Sequence, residues 1–135
     1  MNIKRFFLAV IAVFAAMQLT DYLIHNLILS SAYEAMTDVW NPEMMSKMWI
    51  MYLSSLFFSV MFVFIYTKGY EGKGIGEGVR FGLIIGLLMN VVGLLNQFVV
   101  YPIPFSLTIK WFIYGMIQFT IAGVIVSLIY KPKTN

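Results

Sequence analysis

An all-α polytopic membrane protein is the fold class this sequence predicts: four transmembrane helices in an up-down bundle, both termini cytoplasmic, forming one domain over residues 1–135. Three observations predict it. The chain is 61% hydrophobic and only 11% charged, far from the balance of a soluble domain. Its apolar residues come in four blocks, each matching the roughly 20 residues needed to cross ~30 Å of hydrocarbon. Finally, seven of the nine Lys/Arg fall at ends and connections that share one side: Lys4, Arg5, Lys68, Lys73, Arg80, Lys131 and Lys133. Basic residues are retained on the cytoplasmic face, so that side is the inside, and only Lys47 and Lys110 lie opposite.

The first helix is expected over about 6–29. Lys4-Arg5 ahead of Phe6–Ala16 has the look of a signal peptide, with Val13-Phe14-Ala15 as a cleavage context. The apolar run continues to Leu29, however, which predicts an uncleaved span. An acidic outer loop, Ser30–Pro42, follows. The second helix covers about 44–66, with Asn41-Pro42 as its start signal. A polar, Gly-rich turn, Thr67–Gly76, leads to the third helix over about 77–100. Tyr101-Pro102-Ile103-Pro104 makes a rigid turn, because two prolines fix φ and disfavour helix before them. The fourth helix runs over about 106–130. Trp49, Trp111, Tyr66, Tyr101 and Tyr130 fall near helix ends, where aromatic belts form. A faint repeat links helices two and four, which open on Trp49-Ile50-Met51-Tyr52 and Trp111-Phe112-Ile113-Tyr114 and close on Tyr66 and Tyr130.

Composition excludes several chemistries. The net charge of +3 arises at the cytoplasmic ends, so no basic stripe for nucleic acid exists. With no cysteine there are no disulfides, thiolate metal sites or Cys nucleophiles. One His and no Cys cannot by themselves close a tetrahedral zinc site, though Asp21, Glu34, Asp38 and Glu43 could add oxygens. Glycines 72, 74, 76 and 78 match no phosphate-binding loop and follow no strand. No G-x-S-x-G is present, and no cofactor is called for. A low-ranking Cu(I) site would use Met44, Met48 and Met51 with His25, because thioethers select soft ions. Methionine as gap-filler is the plainer reading.

Two patterns carry the functional expectations. Gly78, Gly82 and Gly86 recur every four residues on helix three, so two backbones can approach closely there, either within the chain or between copies. Farther along that stripe Asn90, Gly93 and Gln97 make it polar. Glu77 and Arg80, three apart at the inner end, read as a local ion pair. The second pattern is Gln18, Asp21 and His25 on one face of helix one. Ionisable groups within a span are costly and face an interior, a cavity or a partner. Asn90, Asn96, Gln97, Lys110 and Gln118 fall at similar height, which suggests a cavity open to the outside, with Lys110 as counter-charge to Asp21. The bland alternative is polar glue between helices.

The chain resembles small four-helix bacterial membrane proteins in topology only, a likeness that implies an inner-membrane location and transfers no site. The first expectation is a non-enzymatic accessory or interaction subunit, or a homo-oligomer packed through the Gly78, Gly82 and Gly86 stripe. Its partners would be the lipid bilayer and other membrane chains, not nucleic acid. The alternative is a binding or transport module for a small molecule or ion, built on Asp21, His25 and Lys110.

Overall fold

The structure, a computed structural model, describes residues 1–134. Four of its helices are long and apolar enough to cross a membrane: Ile3–Ile28, Met44–Lys68, Ile75–Val100 and Phe105–Ile129. At 1.5 Å per residue, 25 or 26 residues extend roughly 38 Å, more than the ~30 Å of hydrocarbon. The boundaries lie within three residues of those read from the sequence.

Helix α1 (Ile3–Asp21) starts where the Asn2 side chain accepts the Arg5 backbone N–H at 3.3 Å, a side-chain N-cap. It continues without a break into a π-helical segment, Tyr22–Ile28, closed by Leu29 N–H on the Ile24 carbonyl. A short helix, α2 (Ser30–Glu34), and a 3₁₀ turn at Thr37–Val39 form the connection to α3 (Met44–Lys68). The acidic Glu34 and Asp38 of this connection are both exposed. At the start of α3 the Asn41 side chain caps Glu43 N–H at 2.9 Å, and Lys47 pairs with Glu43 at 2.7 Å. After α3, Gly72 and Gly74 both take positive φ, which only glycine adopts without strain, and the chain enters α4 (Ile75–Val100). The proline turn leads to α5 (Phe105–Ile129).

Helix α1 packs on both α3 and α5, and α4 packs on α5 more extensively than any other helix pair. The α1–α5 and α4–α5 contacts run antiparallel. Along α1 and α5, Arg5 Nη1 donates to the Ile129 carbonyl at 3.0 Å, while Gln118 reaches Asp21. The main core gathers near the chain termini, where Val10, Val13, Phe62, Val63, Phe119 and Val126 interlock. A smaller core at the far end contains Ile24, Leu29 and Leu107. Large apolar side chains cover the outside, Phe57 and Val99 among them at 69% and 82% exposure, as lipid contact requires.

The α4–α5 seam explains its own tightness. A Cβ on Gly78 would lie 2.3 Å from the Gly123 carbonyl oxygen, and one on Gly82 would lie 2.4 Å from that of Phe119. A Cβ on Gly123 would meet the Gly78 carbonyl just as closely. The stripe is thus an internal seam. Gly78, Gly82 and Gly86 are buried against α5 of the same chain, so they offer no surface to a second copy. The sequence reading missed Gly115 and Gly123, the glycines of α5 that receive α4. Their eight-residue spacing around Phe119 was the available signal.

Two further expectations change at the termini end. Tyr66 and Tyr130 are each 2% exposed and meet edge to face with centroids 6.3 Å apart, joined by Tyr70. They are core residues, not belt residues, whereas Trp49 and Tyr101 are exposed as a belt needs. Glu77 does not pair with Arg80. Its carboxylate is turned inward, 4% exposed, and accepts the backbone N–H groups of Glu71 (2.9 Å) and Lys73 (2.7 Å). Those charge-assisted bonds hold the 69–74 turn against α4. Arg80 instead reaches Glu71 at 3.1 Å, and Lys73 pairs with that same carboxylate. The two cations hold the exposed Glu71 carboxyl below its ordinary range, Lys73 contributing most.

Candidate binding site

Beyond the glycine seam, α4 and α5 help to line a half-open cavity of about 260 Å³. Three elements supply its polar wall: His25 from the π-helical segment, Asn90 and Gln97 from α4, and Gln118 from α5. Ile24, Leu94, Trp111, Tyr114 and Gly115 complete it. Four of the eight residues singled out in the sequence as ligand-binding therefore line one space.

Each polar side chain is oriented by a specific contact. Gln118, 8% exposed, directs its amide nitrogen into α1, donating to Asp21 Oδ1 at 2.7 Å, Thr20 Oγ1 at 2.8 Å and the Met17 carbonyl at 3.3 Å. Three acceptors around the nitrogen settle which way the amide points. The oxygen is left for the cavity side, and no donor among the described residues reaches it. Asn90 is fixed the same way: Nδ2 donates to the Gly86 carbonyl at 2.8 Å and approaches Met116 Sδ at 3.7 Å. Its Oδ1 then lies over Gly115, where a Cβ would come within 2.3 Å. Glycine at 115 makes room for that amide. Asn90 Oδ1 likewise has no donor among the described residues.

His25 stands at the rim. Its ring stacks on Tyr33 of α2, 5.8 Å between centroids, and its Nδ1 is hydrogen-bonded to the Tyr33 hydroxyl. Trp111 Nε1, a donor only, gives its proton to the same hydroxyl at 2.7 Å. The Tyr33 hydroxyl thus links both rings, and the direction of its bond to His25 Nδ1 follows the imidazole tautomer. Trp40 closes the cluster, edge-on to Tyr33 with Nε1 on the Tyr33 carbonyl at 3.3 Å. Burial pushes the Tyr33 phenol above its ordinary value, against the opposing effect of the Trp111 hydrogen bond. Nothing in the loop sequence marks Tyr33 as central. Only the fold back over α1 brings it there.

The remaining sequence candidates fall elsewhere. Asp21 is met by Gln118, not by Lys110, which is exposed and forms no ion pair among the described residues. Lys110 lies eight residues toward the far end of α5 from Gln118, roughly 12 Å along the axis, and its long stem keeps the ammonium near water. Gln18 donates to Ser55 Oγ at 2.7 Å and joins α1 to α3 as polar glue. Asn96 is exposed, away from the cavity wall. Met44 and Met51 are exposed, and His25 Nδ1 is engaged by Tyr33. No group of three or more His, Asp or Glu gathers among the described residues.

No family model, curated protein or solved structure matches this chain, so its chemistry is read from the site alone.

Proposed function

We propose that this chain is a binding module of a bacterial inner membrane, an up-down bundle with both termini in the cytoplasm. In this reading its polar cavity opens outward and takes a small, uncharged, hydrogen-bonding ligand. One observation carries it: hydrogen-bonding side chains from α4, α5 and the π-helical segment converge on one cavity of about 260 Å³. A polar group at hydrocarbon depth is costly without a partner, so amide oxygens left open by the protein favour an occupant that satisfies them. The lining contains no carboxylate and no ammonium group, which favours an uncharged occupant. Association through the Gly78, Gly82 and Gly86 stripe has less support, because α5 already fills that stripe.

The orientation rests on the seven basic residues at the termini end. It is tested by single cysteines, which the native chain lacks. Asp38→Cys should react with an impermeant maleimide in intact cells, and Lys73→Cys only after lysis; the reverse pattern inverts the topology. Binding is tested by native mass spectrometry of protein extracted gently from its own membrane. The expected result is a small added mass that Gln118→Leu removes. A bare polypeptide, or an added mass indifferent to Gln118→Leu, overturns the reading.

A further inference from the structure

A second cavity of about 190 Å³ lies between α4 and α5. It is almost wholly apolar, walled by Val91, Leu95, Phe105, Ile109 and Phe112. Asn90 and Leu94 line this cleft as well as the polar cavity, so the two spaces are neighbours along α4. Asn90 lies 15 residues beyond Ile75, roughly 22 Å along α4, within the hydrocarbon depth of the helix. Thr108 also lines the cleft; it is 4% exposed and its Oγ1 has no hydrogen-bond partner. A helical threonine ordinarily bonds back to a carbonyl one turn earlier. Here the buried hydroxyl is left unpaired, and the apolar space that Thr108 lines is larger than the ~150 Å³ that accepts a benzene-sized group.

The polar cavity specifies the other end of the occupant. Asn90 Oδ1 and Gln118 Oε1 can only accept, because the hydrogen bonds of their nitrogens fix both amides. The occupant must therefore donate, which a hydroxyl does, and the His25 imidazole lines the same cavity. A phosphate or carboxylate head is disfavoured, since two amide oxygens face it and no cation lines the cavity.

We propose that the two cavities form one site for a neutral lipid with a hydroxylated head, the head among Asn90, Gln118 and His25 and the hydrocarbon tail in the α4–α5 cleft. This rests on the binding reading above. Access is lateral: Val91 and Ile109 are 39% and 44% exposed on the lipid side, so the tail enters from the bilayer without unfolding the seam.

The test uses the full chain in phosphatidylcholine vesicles with a trace of monoacylglycerol carrying a diazirine in its acyl chain. After irradiation, label should concentrate on Val91, Leu95, Ile109 and Phe112 by about tenfold over Ile84 and Ile117, exposed apolar residues on the same helices. Leu95→Trp, at a half-exposed position that leaves the core intact, should erase that enrichment by filling the cleft. A matching fatty-acid methyl ester probe, which has no hydroxyl, should show none. Even labelling of the cleft, Ile84 and Ile117 means annular lipid only and overturns the proposal. Equal enrichment with the methyl ester overturns head recognition and the proposal with it. A small mass lost in Gln118→Leu but no cleft enrichment leaves the binding reading standing and removes the lipid. Cleft enrichment unchanged in Gln118→Leu removes both.

Discussion

Along a single helix pair, α4 and α5, the molecule has two characters. At Gly78 and Gly82 the backbones touch, and a Cβ at either position would strike an α5 carbonyl oxygen. From Asn90 to Gln97, α4 lines a polar cavity and an apolar cleft. The difference lies in what each residue leaves out. Glycine omits a side chain and lets dispersion contacts hold two backbones together where lipid gives no hydrophobic drive. Asn90 fills that same stripe with an amide, which Gly115 opposite has room to receive. One half is thereby a fixed pin, and the other lines two cavities.

The largest expected effect tests the pin. Gly82→Leu should cost more than the ~1–3 kcal/mol typical of overpacking, because its Cβ alone would strike the Phe119 carbonyl oxygen at 2.4 Å. Gly93→Ala, with open space around it, should be neutral or stabilise by up to ~1 kcal/mol through helix propensity. Thermal unfolding in detergent measures both, and equal tolerance at 82 and 93 would break the comparison between the halves.

Next in size is Glu77→Gln at the base of the pin. The amide keeps one acceptor where the carboxylate serves two backbone N–H groups, so a loss of about 1.5–3 kcal/mol is expected. Limited proteolysis should show earlier cutting in the 69–74 turn. A turn as resistant as in the native chain would mean the carboxylate does not hold it.

The smallest effect belongs to the open half. Tyr33→Phe removes the hydroxyl shared by His25 and Trp111 and should cost about 1 kcal/mol, with a shift in Trp emission as the Trp111 N–H loses its acceptor. The pH dependence has a definite sign. Burial raises the folded-state value of Tyr33 above its ordinary 10.0, so its stabilising contribution is complete below pH 10 and is lost as pH rises through that higher value. Native protein should therefore lose stability in strong alkali by a component absent from Tyr33→Phe. Parallel curves for the two would show that Tyr33 plays no part in that loss.

Much of this was legible in the residues. Helix positions followed from apolar length and from Gly and Pro punctuation, and Gly78, Gly82 and Gly86 announced a close contact by spacing alone. His25, Asn90, Gln97 and Gln118 were legible only within a larger set that also held Gln18, Asp21, Asn96 and Lys110, all polar at a depth where polarity is expensive. Less legible was what each would meet. Lys110 looked like the partner of Asp21 by charge, yet Gln118, one amide deeper on α5, takes that place. Glu77 looked like the partner of Arg80 by spacing, yet turns inward to backbone N–H groups supplied by a loop. Tyr66 and Tyr130 looked like interface anchors, and pack together in the core.

The sequence by itself determined the number, length and apolar character of the helices, because those are set by local composition against the thickness of a bilayer. It also determined that some contact would be backbone to backbone, since glycine at that spacing has no other economical use in lipid. Only the tertiary structure decided that α5 of the same chain receives the stripe, with Gly123 facing Gly78 and Asn90 lying over Gly115. It alone brought Tyr33 across to His25 and Trp111, and set the two cavities side by side. Such pairings depend on which faces meet after the chain turns back, and a one-dimensional pattern carries a helix's own face but not its neighbour's.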